Sequence, residues 1–389
     1  MSTDPREIDA IPARARQVGI GAAIALIALV GVGLSLTIPL LSLEMERMGV
    51  SNTGIGVNTA LAGIAGIIAV PYVPRVAARI GMGRMLALSI ALVLISLILF
   101  KAVFQYWAWF PIRFVFSAAL GALFVLSEYW ISALAPPARR GMVMGIYATV
   151  LALGFAAGPG ILALVGTSGW APYLVGAGLL SLAAIPLVLA RGFLPTLDDA
   201  PPRPFSVYLF ALPTATMAGM VFGAVETGGF ALLPVYGLRI GFDAEQAALL
   251  VTTLALGNVL MQLPIGLLAD RMNKGLLLVL IAVLGCAGAA ALPLLAGTGL
   301  AFQALLFAWG GVVGGLYTVG LSHLAGRFEG PDLAGANAAF VVLYNVGLTV
   351  GPPVVGAAMD YSNPHGFAHA LSALFLLLIA GGVVSAFRR

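Results

Sequence analysis

Long stretches with almost no charge constrain this chain more than any other feature. An apolar run of about 20 residues lets an α-helix cross a bilayer. Such runs fall at 17–41, 54–80, 83–103, 107–133, 139–165 and 170–192, and six more follow at 206–236, 243–269, 275–296, 299–326, 332–358 and 364–387. A membrane barrel would instead show strands of about 10 residues with alternating polarity, and no such alternation appears. Hydrophobic residues make up 61% of the chain and charged residues 9%, against about a quarter charged in soluble domains. No stretch reads as a soluble domain. The expected fold is an all-α polytopic membrane protein of twelve transmembrane helices.

The few charges are sorted by side. Of the 19 lysines and arginines, fifteen lie at the chain ends or in alternate connections: Arg6, Arg14, Arg16, Arg75, Arg79, Arg84, Arg139, Arg140, Arg191, Arg203, Arg271, Lys274, Arg327, Arg388 and Arg389. Arg47, Lys101 and Arg239 occupy the opposite connections, and Arg113 lies inside the fourth run. Cytoplasmic loops carry the basic excess, so both termini are expected to be cytoplasmic. The net charge of +4 is spread in short clusters and forms no continuous basic face, so the expected partner is the bilayer and not nucleic acid. The lone Cys286 sits in an apolar run and excludes an intramolecular disulfide. The first run follows a basic N-terminus without a clear cleavage site and reads as a retained span.

Local features recur at a nearly constant offset. Pro39 matches Pro234 at 195, Pro74 to Arg84 matches Gly266 to Lys274 at 192, and Gly158-Pro159 matches Gly351-Pro352 at 193. Two six-helix halves in the same orientation, 1–192 and 206–389, are therefore expected around a proline-rich polar linker at 193–205. Parallel repeats of this kind place a transporter's site at the interface of its halves.

Gly266, Asp270, Arg271 and Lys274 follow a pattern of glycine, three variable residues, Asp-Arg and a basic residue, with Asn273 where a second glycine is usual. The earlier copy has Pro74 and Ala78 at the first glycine and aspartate positions and keeps Arg79, Gly81 and Arg84. This duplicated loop resembles the signature of the major facilitator superfamily. The resemblance implies that fold, and it implies gating roles for Arg79, Arg84, Asp270, Arg271 and Lys274, with Arg140 on the same side. Gly145, Gly154, Gly158 and Pro159 resemble the superfamily's antiporter motif in the fifth helix, although Leu162 and Ala163 replace its closing glycines. With Gly351 and Pro352, these are expected packing and hinge positions between the halves. The stretches 127–141 and 337–356 resemble a branch of small bacterial permeases, which implies a multi-pass protein of the cell inner membrane.

Glu226 is the leading chemical candidate. It lies about ten residues, or about 15 Å, from the outer end of the seventh run, close to the bilayer midplane. Gly219, Gly223, Glu226 and Phe230 step by four, three and four, so the carboxyl emerges on a face of small residues turned toward other helices. Intramembrane ionisable groups default to function, and proton carriage is the expected role; an interhelical hydrogen bond is the structural alternative. In the fourth run Arg113, Ser117, Gly121, Phe124 and Glu128 share a stripe. Arg113 resembles the superfamily's helix-4 arginine, which implies proton transfer or anion binding; snorkelling beside Trp107 and Trp109 is the alternative. Glu128 reads as a second proton carrier or as a latch to an inner arginine. Substrate contacts are expected from Arg113, Phe124, Phe230, Asn58, Tyr317 and Asn345. Asn258, Gln262 and Tyr344 read as interhelical hydrogen-bonding groups.

His365 and His369 stand four apart, but no third ligand accompanies them beyond Asp360, so no metal is expected. No phosphate-cradling Gly-x-x-x-x-Gly-Lys-[Ser/Thr] sequence occurs, which excludes ATP-driven transport by this chain alone. No nucleophile and base pair stands out, and neither an enzyme nor a cofactor is expected. The sequence therefore reads as a monomeric, proton-coupled secondary transporter of a small organic molecule. The resemblance of the fifth helix points toward export, with proton-coupled or uniport uptake as the alternative and a non-transporting membrane sensor as a more distant one.

Overall fold

The computed structural model describes residues 13–136, 139–190, 194, 212–328 and 330–387. Apart from Leu194, the expected linker lies outside the described residues, as does the side chain of Arg140. The elements are α1 (Ala13–Arg47), α2 (Asn52–Ile68), α3 (Val73–Ile80), α4 (Met82–Ala102), α5 (Trp109–Leu134), α6 (Arg140–Val165), α7 (Ala171–Ser181) and α8 (Ala184–Leu189). After the linker come α9 (Pro213–Arg239), α10 (Ala244–Arg271), α11 (Lys274–Ala291), α12 (Leu300–Ala325), α13 (Gly330–Tyr361) and α14 (Gly366–Phe387). Among the described residues no strand occurs, and eleven spans are long and apolar enough to cross a membrane, with Gly366–Gly381 as a shorter apolar helix.

Three of the expected runs depart from the α-helix at a proline, the ninth only near its end, where Pro293 lies in a 3-10 turn at Leu292–Leu295. Pro71 and Pro74 lack amide protons, so the second run passes through a 3-10 turn at Val70–Tyr72 in which Val73 N–H reaches Val70 O. In the sixth run Pro186 has no N–H for the Leu182 carbonyl, which instead accepts from Ile185 at 3.0 Å, and α7 gives way to α8. Sequence chemistry also sets starts. Asp243 and Gln246 form a reciprocal capping box that opens α10, at 2.7 and 3.2 Å.

The chain groups into two compact bodies, Met1–Thr37 with Ala65–Pro202 and Ile38–Ile64 with Arg203–Arg389. In the first, Phe100 of α4 meets Trp109 and Phe116 of α5 edge-on at 5.2 and 5.8 Å. Glycines seat α6 on α1: a Cβ at Gly154 would lie 2.8 Å from Ala28 O, and one at Gly158 would meet Ser35, Leu36 N and Val32 O. In the second body α10 and α12 approach through Gly257 and Gly310, where an added Cβ would strike the backbone of Phe307 and Leu254. Trp309 of α12 donates its indole N–H to Gly285 O of α11 at 2.9 Å.

The second body also contains the end of α1 and most of α2. Its α2 lies along α13, with Gly56 against the backbone of Pro352 and Pro353 and Gly63 against Asn345 O and Thr349. Such contacts need glycine because backbone meets backbone.

Candidate functional site

Glu226 is the one partly exposed residue in an otherwise enclosed stretch. From Val221 to Gly237 every residue of α9 is buried except Glu226, which is half-buried. The neighbour that encloses it is α13. A Cβ on Gly223 would meet Tyr344 O, one on Gly347 would meet Met220 O, and one on Gly351 would meet Ala224 O. Gly219 lies against the Phe340 ring, at 2.9 Å from a built Cβ. Stripped of side-chain bulk on both sides, the two backbones approach closely enough for Tyr344 to donate its hydroxyl to Glu226 Oε2 at 2.8 Å. Bonds of this kind between membrane helices are worth about 0.6–2 kcal/mol.

Aromatic rings complete the surroundings. Phe222, one turn before Glu226, stacks on Tyr344 with centroids 5.7 Å apart and an interplanar angle of 22°. Tyr317 of α12 stands 5.2 Å from Phe222 and 6.1 Å from Tyr344, edge-on to the latter. Its other neighbour, Phe340, is 5.4 Å away. Among the described residues no lysine or arginine pairs with Glu226. The result is a carboxyl group with one hydroxyl partner beside a cluster of rings.

The remaining expected residues are dispersed. Phe230 is buried one turn beyond Glu226. Asn345 turns its amide N–H back onto Val341 O of its own helix at 2.8 Å. Asn58 is fully buried in α2, and neither amide atom has a hydrogen-bond partner among the described residues. In the first body Arg113 is 3% exposed with Nη1 unpaired, and Trp109, expected beside it at the membrane surface, is itself buried with its indole N–H on Val103 O. That enclosure does not match snorkelling. Phe124 is half-buried, whereas Glu128 is exposed and makes no ion pair among the described residues, so the latch to Arg139 is not formed. Gln262 donates to Asn258 at 3.0 Å along one face of α10, a bond within the helix where an interhelical one was expected.

The packing expectation for the fifth helix needs correction. Gly154 and Gly158 do serve close approach, but their partner is α1 of the same body, and nothing comes within 4 Å of a Cβ built on Gly145. Pro159 lies inside α6 beside that contact. Gly351 engages α9 of its own half, whereas Pro352 meets Gly56 of α2, a helix of the expected 1–192 half, so that position does pack between the expected halves although both partners lie in the second body.

Arg79, Arg84, Asp270 and Arg271 are exposed and form no ion pair among the described residues, while Lys274 is half-buried. The visible ties lie at the other helix ends, and the sequence reading missed them. Asp360, at the end of α13, accepts four hydrogen bonds from the start of α2. Asn52 N and Nδ2 reach Oδ1 at 3.1 and 2.7 Å, and Thr53 N and Oγ1 reach Oδ2 at 2.8 and 2.6 Å. A carboxylate at a helix N-terminus satisfies unpaired amides and complements the helix dipole. Arg239, at the end of α9, pairs with Glu46 of α1 at 2.9 Å. The local signal was present only as an unexplained acid after a glycine-rich run. Its donors stand 307 and 308 residues away. His365, four residues before His369, faces the Tyr236 hydroxyl at 3.3 Å.

Helices of this length and apolarity define the class of polytopic membrane proteins. The profile of the Major Facilitator Superfamily matches residues 23–298 and 215–389, and the chain belongs to that family. Among its relatives is the MFS-type transporter YfkF of Bacillus subtilis (strain 168), 25% identical over 358 residues that cover 88% of this chain and 90% of the relative. The MFS-type transporter YcaD of Shigella flexneri is 24% identical over 353 residues, covering 87% and 88%. The fold is shared with a crystal structure of a variant of the nucleoside transporter NupG, with TM-score 0.74, 16% identity and coverage of 95% and 98%. A bacterial homolog of the human lysosomal transporter Spinster, solved inward-facing and unoccupied, also has TM-score 0.74, with 12% identity and coverage of 97% and 96%.

Proposed function

We propose that this chain is a proton-coupled secondary transporter that exports a small organic molecule by alternating access, with Glu226 carrying the proton. The observation that carries this reading is Glu226 itself, the one partly exposed residue in an otherwise buried stretch of α9 and bonded across to α13 through Tyr344. Tyr344 suits the role because a phenol can partner both states of the acid. Its O–H donates to the carboxylate at 2.8 Å, and its oxygen accepts from the protonated form after a rotation of that hydroxyl. The rings of Phe222, Tyr317 and Tyr344 favour an organic substrate over a simple ion. Arg113 and Asn58, buried polar groups with unpaired atoms, are the further substrate contacts in this reading.

Alternating access moves the two six-helix halves about that site. The ties of Asp360 to α2 and of Arg239 to Glu46 link segments on either side of the linker, so they are bonds that one half of the cycle must break. The chain works as a monomer in a bacterial inner membrane, with both termini cytoplasmic as the basic loops suggest. Proton-driven uptake uses the same parts, and direction is decided by experiment. Purified protein in liposomes is given a pH gradient, an internal pH dye and a panel of drugs, vitamins, sugars and organic acids, beside Glu226→Gln. A compound that drains the gradient only with the wild type establishes coupling, and the gradient's orientation separates exchange from cotransport. Equal drainage by Glu226→Gln, or none by either protein while labelled substrate still crosses, removes Glu226 and the proton from the mechanism.

A further inference from the structure

The ends of α10, α11 and α12 border an open cavity that lies apart from Glu226 and shares Lys274 with the duplicated loop. It has a volume of about 300 Å³ and is lined by Met272, Asn273, Lys274, His323, Gly326 and Arg327. Three of these six residues carry basic or imidazole side chains and none carries a carboxylate. Two of them reach across glycines into the shared space: a Cβ on Gly326 would lie 3.5 Å from Lys274 Nζ, and one on Gly275 would lie 4.0 Å from His323 Nε2. The helix terminus is not the source of attraction, because Asn273 already caps α11 through Leu276 N–H at 3.1 Å. Lys274 is half-buried and Arg327 exposed, so a partly desolvated ammonium and a solvent-facing guanidinium line the same opening. An anion with several acceptor oxygens fits that set.

The surface beyond the cavity says which anion. From its mouth α11 runs into the membrane span with Leu276, Leu280, Val283 and Leu284 at 61%, 41%, 45% and 50% exposure. Their spacing of four, three and one keeps them on one stripe. A free phosphate would leave this stripe unused, whereas a phosphate carried on a diacylglycerol lays its chains along it. We infer that the cavity binds the phosphate headgroup of an anionic glycerophospholipid, held by Lys274 and Arg327 with its acyl chains on α11. Basic pockets between transmembrane helices are sites of this kind.

The test is lipid retention by the intact protein in native mass spectrometry, after exchange into detergent with equal amounts of phosphatidylglycerol, phosphatidylethanolamine and diacylglycerol. The wild type should keep phosphatidylglycerol preferentially, and Lys274→Gln with Arg327→Gln should lower that retention by about tenfold. The exchange pair Lys274→Arg with Arg327→Lys should restore it, which separates binding from a folding defect. Removing the same charge elsewhere, with Arg75→Gln and Arg139→Gln, should leave it intact. Unchanged retention in the first pair overturns the site, as does an equal loss in the Arg75 and Arg139 pair. Inorganic phosphate that protects against heat as well as phosphatidylglycerol does, with no lipid retained, makes it a soluble-anion site and overturns the lipid.

Discussion

Tyr344 and Glu226 are 118 positions apart in the chain and share one hydrogen bond. Changing Tyr344→Phe keeps the ring on Phe222 and removes only the hydroxyl, so transport should continue with an altered pH profile. A profile identical to the wild type would take Tyr344 out of proton handling. Asn58 offers a different contrast. A buried polar group without partners costs about 1–3 kcal/mol, so Asn58→Leu should raise the thermal midpoint while transport falls. A lowered midpoint would reveal a partner that the observed side chains do not supply. Much of this was legible at the level of residue type: Glu226 is the acid in the middle of an apolar run, and its face of Gly219 and Gly223 does meet α13. Tyr344 was expected to hydrogen-bond between helices and does so, but its acceptor was not legible, because a tyrosine in an apolar run carries no mark of what it will face. For the same reason Asn345, an equally polar neighbour, was an equal candidate and proved to be turned onto its own helix.

Glycine spacing sets which helices touch at the scale of elements. On α9 and α13 the Gly223, Gly347 and Gly351 contacts are backbone against backbone, and a larger side chain there has no rotamer to escape into. Gly347→Leu should therefore separate the helices, break the Glu226–Tyr344 bond and cost more than the about 1–3 kcal/mol of ordinary overpacking. The check is a thermal melt beside transport, and wild-type values in both would mean the helices can slide. Within α6 the same substitution should divide the motif: Gly158→Leu collides with α1, whereas Gly145→Leu meets open space and should fold normally. Equal destabilisation of both would contradict the packing described. The runs themselves follow from sequence because twenty apolar residues in hydrocarbon have to bond their own backbone. Partner choice does not, since Gly145, Gly154 and Gly158 look alike in the chain and only two of them have a neighbour.

For the whole molecule, the decisive bonds are those at the ends of α2, α9 and α13. Asp360→Ala removes four acceptor contacts at once, and Arg239→Ala removes an ion pair. Together they should favour the state in which those ends part, read as faster labelling of a cysteine placed at Thr53 in an otherwise cysteine-free chain. Unchanged labelling would mean that other contacts hold this region closed. Apolar length and the duplicated loop sufficed for the membrane class and the all-helical repeat fold, with eleven of the twelve expected spans long enough among the described residues and Gly366–Gly381 shorter, because the bilayer tests each segment for length and polarity locally. The segregation of Ile38–Ile64 with the second body, the cap that Asp360 supplies to α2 and the partial exposure of Glu226 were decided only by tertiary structure. Each depends on which surfaces meet across hundreds of residues, and in lipid the surfaces that meet are glycines and small side chains whose sequence signal is the same wherever they pack.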